Sequence, residues 1–375
     1  METMPSYCFY DGKRLRDSHY DTNSDVLIDD ALFTISHERF LNEGFHKLLK
    51  AMLKHAPTRN GQGSIAQSIV FFRFMEEELY YDLVEVDKIE AGSGKDKNFA
   101  DRRYTSLGHE LDGLKNHYLA AVIFPFVNTV RREVPPNHCW HPDRTKKQVE
   151  RATRVSKIEE IIPRDNYRCC ATGRMDIDVA LLPDQKKREV LSKEVNVIGG
   201  YDDLEVAHII PFSLNNFDEK VESQKLRAQC IWTALEDFAG MNLSPLKGQG
   251  INDMGNLFSL SPLAHKFYDR LLLSFYPSPE FGEGHRLQVR GDRACLINIR
   301  GNVKLSVNAD WLAIHHAICQ IVYEAGLTKE VAKIAALDRE REEIVDESKE
   351  IGRKAKEDEK AKKGGMWKLP SGSNT

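Results

Sequence analysis

Three short stretches of this sequence decide its fold: LEVAHIIP at residues 204–211, MGNLFSLS at residues 254–261 and HKFYD at residues 265–269. The first stretch predicts a short strand, because its β-branched side chains favour a pleated surface and Pro211 ends the run. In the second stretch a glycine and an asparagine form a turn ahead of another apolar run. The two stretches therefore predict a pair of neighbouring strands.

A helix is expected directly after the second strand. Ser261 precedes Pro262, and serine is a favoured N-cap while proline suits the first helical position. His265 and Asp269 then fall four residues apart, which places an imidazole and a carboxylate on one face of that helix. The predicted order is strand, turn, strand and helix.

The order of His208, Asn256 and His265 resembles the HNH endonuclease motif with its ββα-metal finger. The resemblance is closest to the fungal branch of that family, in which a Cys-x-Thr-Gly segment precedes the first strand. Residues 170–173 have that pattern here, and residues 311–326 resemble the C-terminal helix of the same branch. The family's fold and chemistry are therefore expected for this part of the chain.

The resemblance, which covers roughly residues 158–337, also implies roles for single residues. It assigns His208 as the general base, His265 as a metal ligand and Asn256 as the catalytic-site residue that braces the hairpin. A neutral imidazole titrates near physiological pH and can take a proton from water. A hard divalent cation (Mg²⁺, Mn²⁺ or Zn²⁺) suits the charge on phosphoryl oxygens. We add Asp269, one helical turn beyond His265, as a second metal ligand.

The sequence departs from the family pattern at one position. Many members carry Asp or Glu immediately before the base histidine as a metal ligand, and this chain has Ala207 there. Glu205 is not expected to take that place, because residues i and i+3 of a regular strand face opposite sides. The remainder of the metal shell is therefore left open.

Each of these side chains also has a structural explanation when it is considered alone. His208 in an apolar strand is more often a core histidine, Asn256 after glycine is a turn former, and His265 with Asp269 is an ordinary helical pair. Their combined spacing, with the Cys-x-Thr-Gly segment ahead of them, favours the nuclease. The alternative is a catalytically inactive module that binds nucleic acid or a protein and keeps the finger as a scaffold.

The composition narrows the class of protein. The chain has 375 residues, of which 41% are hydrophobic, so it can form two domains with cores of their own. The net charge of −4 requires nucleic acid to be met by a local basic patch. Between residues 131 and 168, ten Lys and Arg residues against six Asp and Glu residues form a candidate patch for backbone phosphates.

The spacing of the cysteines and the length of the apolar runs indicate the cellular compartment of the protein. Seven scattered cysteines do not form a disulfide framework, and no two Cys-x-x-Cys pairs are present for a structural zinc. There is no run of 18 apolar residues and no apolar leader after a charged start. We therefore expect an intracellular protein with no membrane association.

The first and last parts of the chain fall outside the resemblance. Residues 1–150 predict a helical domain of unknown role, with helices over 29–55, 64–83 and 107–132. The first of these helices is expected to end at Pro57 and the Asn-Gly pair that follows it. Residues 338–375 predict a charged helical tail that becomes disordered.

Residues 151–337 are expected to form the HNH nuclease domain. A packing helix is predicted over 220–238, and C-terminal helices follow a β meander. The predicted meander strands are antiparallel and span 271–276, 285–289, 294–299 and 303–307. The fold class is therefore α+β, with a helical N-terminal domain, the ββα-metal finger, the meander and C-terminal helices.

The sequence thus predicts a metal-dependent endonuclease that hydrolyses phosphodiester bonds, with DNA as the expected partner. His208 would activate water, and His265 would hold the divalent metal. This function requires the two imidazoles and the amide of Asn256 to meet at one metal-and-water pocket.

Overall fold

The computed structural model describes residues 25–37, 43–70, 114–127, 160–186, 189, 200–215, 217, 220–277, 285–289, 302–303 and 305–336. The longer helices are α1 (Asp25–His37), α2 (Glu43–His55), α3 (Glu222–Ala239), α4 (Pro262–Asp269) and α5 (Ala309–Glu324). Residues 59–70, 114–127 and 328–336 are also helical, with a π-helical turn at Leu119–Ile123. The strands are β1 (Met175–Asp176), β2 (Tyr201–Asp202), β3 (Glu205–His208), β4 (Leu257–Leu260), β5 (Leu273–Pro277), β6 (His285–Val289) and β7 (Asn302–Val303). The chain is therefore a mixed α+β protein.

The strands form three small sheets. The short strands β1 and β2 pair in parallel. Strands β3 and β4 pair antiparallel, with Glu205 opposite Leu260 and His208 opposite Leu257. Strands β5, β6 and β7 are antiparallel neighbours in chain order. The predicted pairing of the two central strands is therefore confirmed, while the predicted strand over 294–299 lies outside the described residues.

The first predicted helix, over 29–55, is two helices in the structure. Helices α1 and α2 pack against each other, so they are not one continuous rod. A single helix of that length would extend for about 40 Å, and its apolar residues could not pack against one another. Folding back buries Ile35 of α1 together with Phe45 and Met52 of α2.

The second predicted helix begins earlier than expected, at residue 59. The hydroxyl oxygen of Thr58 accepts the N–H of Gly61 at 3.0 Å and caps the helix start. Gly61 was expected to end the previous helix, but it lies inside this one. A Cβ at Gly61 would overlap the carbonyl oxygen of Phe238, so a glycine is needed for this close approach of two backbones.

The N-terminal helices share a core with the rest of the chain. Helix α2 packs against α5, and the helical segment 114–127 packs against α3. The ammonium of Lys54 lies 2.8 Å from a carboxylate oxygen of Glu324, which joins α2 to α5. One connected set of buried apolar residues extends from Leu27 to Ala335. The predicted domain boundary near residue 150 lies outside the described residues and stays a prediction.

Aromatic packing fixes α4 over the hairpin formed by β3 and β4. Phe258 of β4 makes edge-to-face contacts with Tyr268 at 5.1 Å and with Phe275 at 5.4 Å between ring centroids. The ring of His315 on α5 stacks on Tyr268 at 3.7 Å, with 4° between the planes. These buried rings hold α4, β5 and α5 as one unit.

Several predicted segments lie beyond the described residues, among them 1–24, 71–83 and the tail over 338–375. The packing helix is confirmed as α3, which ends at Gly240 in the left-handed conformation. Within the described part of the chain, every helix is too short or too polar to cross a membrane.

Candidate active site

Two residues that precede the hairpin in sequence hold β4 in place. The guanidinium of Arg164 donates hydrogen bonds to the carbonyl oxygens of Met254 and Leu257, each at 2.7 Å. The carboxylate of Asp165 accepts the backbone N–H of Ser259 at 2.8 Å and pairs with Arg164 at 2.7 Å. This partly buried clamp supports the strand and the turn before it.

The clamp corrects one prediction about the basic patch over 131–168. Arg164 is committed to backbone carbonyls and Asp165, and Arg168 is buried with a hydrogen bond to the carbonyl oxygen of Gly173 at 3.3 Å. Neither guanidinium is displayed for phosphate, because both complete the fold. The other eight basic residues of the patch lie outside the described residues.

The Cys-x-Thr-Gly segment packs beneath the hairpin. The sulfur of Cys169 accepts the backbone N–H groups of Thr172 at 3.3 Å and of Ser261 at 3.2 Å. Cys170 donates its backbone N–H to the carbonyl oxygen of Ser259 at 2.8 Å. Burial raises the pKa of the Cys170 thiol well above its ordinary value. The Cys170 thiol is therefore neutral, and both cysteines are buried packing groups.

Asn256 joins the turn before β4 to the end of β3. Its side-chain oxygen accepts the N–H of Ile210 at 2.8 Å. Its amide nitrogen donates to the carbonyl oxygens of Ile210 at 3.0 Å and of Ile251 at 2.8 Å. The side chain is fully buried. These contacts match the bracing role that the family resemblance implies.

His208 lies at the end of β3 and is half-buried. Its Nε2 atom is 3.0 Å from the side-chain oxygen of Asn252. Its ring also contacts that of Phe212, with 5.5 Å between the centroids. Asn252 is buried and ends the short 3-10 helix Gly248–Asn252. The sequence carries no signal for a role of Asn252, because this residue lies in a polar segment without a recognisable motif.

His265 on α4 lies between two carboxylates. Its Nδ1 atom is 2.6 Å from an oxygen of Glu205, and its Nε2 atom is 3.6 Å from an oxygen of Asp269. The second distance comes from the expected i, i+4 placement on the helix. The structure therefore brings together His265 and Asp269, as the sequence suggested, and adds Glu205.

The contact of Glu205 follows from strand alternation. Strand alternation places Glu205 on the opposite face of β3 from His208, which lies three residues further along. The acidic ligand of other family members would stand at position 207, where this chain has Ala207. Residues i and i+2 of a strand share a face, so Glu205 lies on the same face of β3 as Ala207. Ala207 packs in the main core with Ala264 of α4, so Glu205 emerges on the same side and reaches His265.

The functional side chains form two groups along β3. His208 and Asn252 lie at one end, and Glu205, His265 and Asp269 lie at the other, about 10 Å away by strand rise. Val206 packs with Ile161 and Leu257 in a separate cluster, which places the alternate face of β3 away from α4. The two imidazoles thus have different partners among these contacts, and the single pocket expected from the sequence stays a prediction.

The residues around His265 suit a hard divalent cation. A carboxylate only accepts hydrogen bonds, so Glu205 keeps the proton of a neutral His265 on Nδ1 and leaves the lone pair on Nε2. The separation of 3.6 Å between Nε2 and Asp269 is too long for a good hydrogen bond. It suits two ligands that each lie about 2.1 Å from one cation. Among the described residues, no group of three His, Cys, Asp or Glu side chains is arranged to hold a metal.

Comparison with known proteins agrees with this geometry. Residues 169–276 match the family model described as HNH endonuclease. Neither a curated protein nor a solved structure gives a match to the chain. The matched segment begins at Cys169 beneath the hairpin, contains both strands and α4, and ends in β5. Over these residues the chain is therefore similar to the HNH endonuclease family.

Proposed function

We propose that this protein is a metal-dependent endonuclease that hydrolyses phosphodiester bonds in DNA. The observation that carries the proposal is the placement of three side chains within the matched segment. His208 ends the first strand, Asn256 braces the turn before the second, and His265 lies on the helix that follows. Nuclease chemistry needs a base, a rigid support and a metal ligand, and these residue types can supply them.

His208 is the proposed general base. A neutral imidazole at the strand end can accept the proton of an attacking water molecule. The half-buried ring keeps access to solvent while Asn252 and Phe212 hold its orientation. Asn256 supports this arrangement indirectly, because it ties the backbone just after His208 to the turn.

His265 and Asp269 are the proposed ligands of Mg²⁺, Mn²⁺ or Zn²⁺, with Glu205 holding the ring of His265 from its other nitrogen. When bound, the cation would stabilise negative charge on the phosphate group that is cleaved. Two protein ligands suffice for a hard cation whose other positions are completed by water and phosphate oxygens. Glu205 thus contributes to the metal site although Ala207 cannot.

The separation of the two groups places a requirement on the substrate. In an in-line displacement the attacking water and the leaving oxygen lie on opposite sides of phosphorus. The base and the cation therefore need not touch each other. Among the described strands β3 pairs with β4 alone, so its other edge has no strand partner. A DNA backbone that crosses this edge could reach both His208 and His265.

A plasmid assay tests the function. The full chain, stripped of metal with EDTA and then supplied with Mg²⁺, Mn²⁺ or Zn²⁺, is expected to nick supercoiled DNA in a metal-dependent way. His208→Ala should reduce the rate by about 100-fold or more, since a general base contributes a factor of this order. Single-stranded DNA and RNA are tested in parallel. Cleavage that persists in excess EDTA, or at full rate in His208→Ala, would contradict the proposal.

A second function is favoured by one observation, the alanine at position 207. A chain that lacks the usual acidic ligand could bind nucleic acid without cutting it. DNA retained in a mobility-shift assay, together with no cleavage in any of the three metals, would support this inactive binding module.

A further inference from the structure

We propose that Asn252 is the positioning residue of the base: its side-chain oxygen holds the Nε2–H of His208, so that Nδ1 is the atom that takes the proton from water. This inference rests on the proposed nuclease function and names a residue and an atom that the HNH pattern does not include. The observation behind it is the distance of 3.0 Å between Nε2 of His208 and the side-chain oxygen of Asn252.

The segment that carries Asn252 is rigidly held. The carbonyl oxygen of Ile251 accepts a hydrogen bond from Asn256 at 2.8 Å, directly before Asn252 in sequence. Gly250 lies so close to Pro245 that a Cβ would overlap the carbonyl oxygen of that proline. The side chain of Asn252 is 4% exposed. Its position therefore does not depend on the substrate.

The orientation of the Asn252 amide decides which nitrogen of His208 can act. A neutral imidazole carries one N–H and one lone pair. With the amide oxygen toward the ring, Nε2 carries the hydrogen and Nδ1 carries the lone pair. With the amide reversed, Nδ1 would carry the hydrogen and could not accept a proton. The arrangement in the structure is the one that leaves a basic Nδ1.

The hydrogen bonding of Asn252 differs from that of an asparagine with a purely structural role. Asn256 uses its amide in three hydrogen bonds to backbone groups. In the described part of the chain, the side-chain oxygen of Asn252 pairs with His208, and its amide nitrogen is buried without a hydrogen-bond partner. An unpaired buried N–H costs about 1–3 kcal/mol. The fold accepts this cost at a side chain whose described hydrogen bond serves the base.

Phe212 restricts the same ring from a second direction. Its ring lies 5.5 Å from that of His208, with 53° between the planes. The two contacts together limit rotation of the imidazole, because Asn252 fixes the position of Nε2 and Phe212 fixes the plane of the ring. Loss of Asn252 alone should therefore change the tautomer more than the location of the ring.

Nitrogen-15 NMR of the full chain, without metal or DNA, measures the tautomer directly, because protonated and lone-pair ring nitrogens have distinct shifts. The signals of His208 are assigned by their absence from His208→Gln. The wild type is expected to be mostly Nε2–H, and Asn252→Ala is expected to show a mixture of both tautomers. Asn252→Asp, which retains an acceptor oxygen, should restore the Nε2–H form. Asn242→Ala, at an exposed asparagine, is the matched control and should match the wild type.

The cleavage assay separates this inference from the function on which it depends. Asn252→Ala should lower kcat by about 10- to 100-fold with little change in KM, and Asn252→Asp should recover most of the rate. An unchanged tautomer in Asn252→Ala, or full kcat in an active enzyme with this substitution, would overturn the role of Asn252. A wild-type chain that cuts no nucleic acid would instead overturn the nuclease proposal, while the NMR result still decides whether Asn252 sets the tautomer.

Discussion

Glu205 and His265 are joined across the hairpin and the helix by a contact of 2.6 Å between a carboxylate oxygen and Nδ1. Sixty residues separate them in sequence, and strand pairing together with the packing of α4 brings them into contact. A carboxylate on the far nitrogen of a metal-binding imidazole fixes the ring and its tautomer. Through this contact a chain with Ala207 would still orient His265 for the proposed metal ion.

Removal of Glu205 should weaken metal binding. Glu205→Ala is expected to reduce the affinity for Mn²⁺ by about 10- to 100-fold, the usual effect of losing a carboxylate behind a ligand histidine. Glu205→Gln should lose less, because the amide oxygen still accepts from Nδ1. Isothermal calorimetry measures both. Glu222→Ala, at an exposed glutamate of α3, is the control, and equal affinities for all four proteins would remove Glu205 from the site.

Asn256 should contribute to stability more than to any single chemical step. Asn256→Ala leaves the N–H and carbonyl oxygen of Ile210 and the carbonyl oxygen of Ile251 without their partner. We expect a loss of about 2–4 kcal/mol in the free energy of unfolding, measured by urea denaturation. The matched substitution Asn242→Ala should cost much less. A loss below about 0.5 kcal/mol for Asn256→Ala would show that the brace is dispensable.

Arg164 should act on the fold and not on DNA affinity. Arg164→Ala removes the donors to Met254 and Leu257 and leaves the carboxylate of Asp165 without its ion-pair partner, so we expect a loss of about 2–4 kcal/mol in stability. If Arg164 contacted a phosphate group, its removal would also reduce the salt dependence of DNA binding, by about one unit of slope. That slope is expected to stay unchanged, and a decrease would restore the phosphate-contact hypothesis for this residue.

His315 should make the protein less stable in mild acid. Burial, and then the neighbouring His316, lowers the pKa of His315 from 6.5 to about 3. In the unfolded chain His315 therefore binds a proton below about pH 6.5, whereas in the folded chain it stays neutral down to about pH 3. Stability should fall as the pH drops through this window, by at most about 1.4 kcal/mol per pH unit from this group.

Thermal unfolding between pH 4 and pH 7.5 tests this prediction. His315→Phe keeps an aromatic ring against Tyr268 and removes the titrating group, so part of the pH dependence should disappear. An equally steep fall in the variant would assign the acid sensitivity to other groups.

The N-terminal helices should be required for the solubility of the region that matches the HNH family model. Deletion of residues 1–150 removes α2 and segment 114–127, which cover apolar faces of α5 and α3. Each exposed square ångström of apolar surface costs about 25 cal/mol, so the fragment is expected to aggregate or to lose its cooperative thermal transition. A fragment that unfolds cooperatively near the melting temperature of the full chain would instead support two independent domains.

Local sequence patterns were sufficient to predict the central elements. The β-branched run before Pro211, the Gly-Asn turn and the Ser-Pro helix start predicted β3, β4 and α4, because each depends on neighbouring residues alone. The spacing of His265 and Asp269 likewise predicted their shared helix face. Ser261 occupies the expected N-cap position, but its side chain makes no capping hydrogen bond.

Only the tertiary structure decided which side chains serve the site and which serve the fold. Glu205 reaches His265, Asn252 reaches His208, and Arg164 turns inward to β4, each across at least 44 residues of sequence. Such contacts depend on how whole elements pack, and no local pattern records that packing. The sequence by itself determined the elements and the chemistry that they carry, whereas packing determined which side chains each of the two imidazoles contacts.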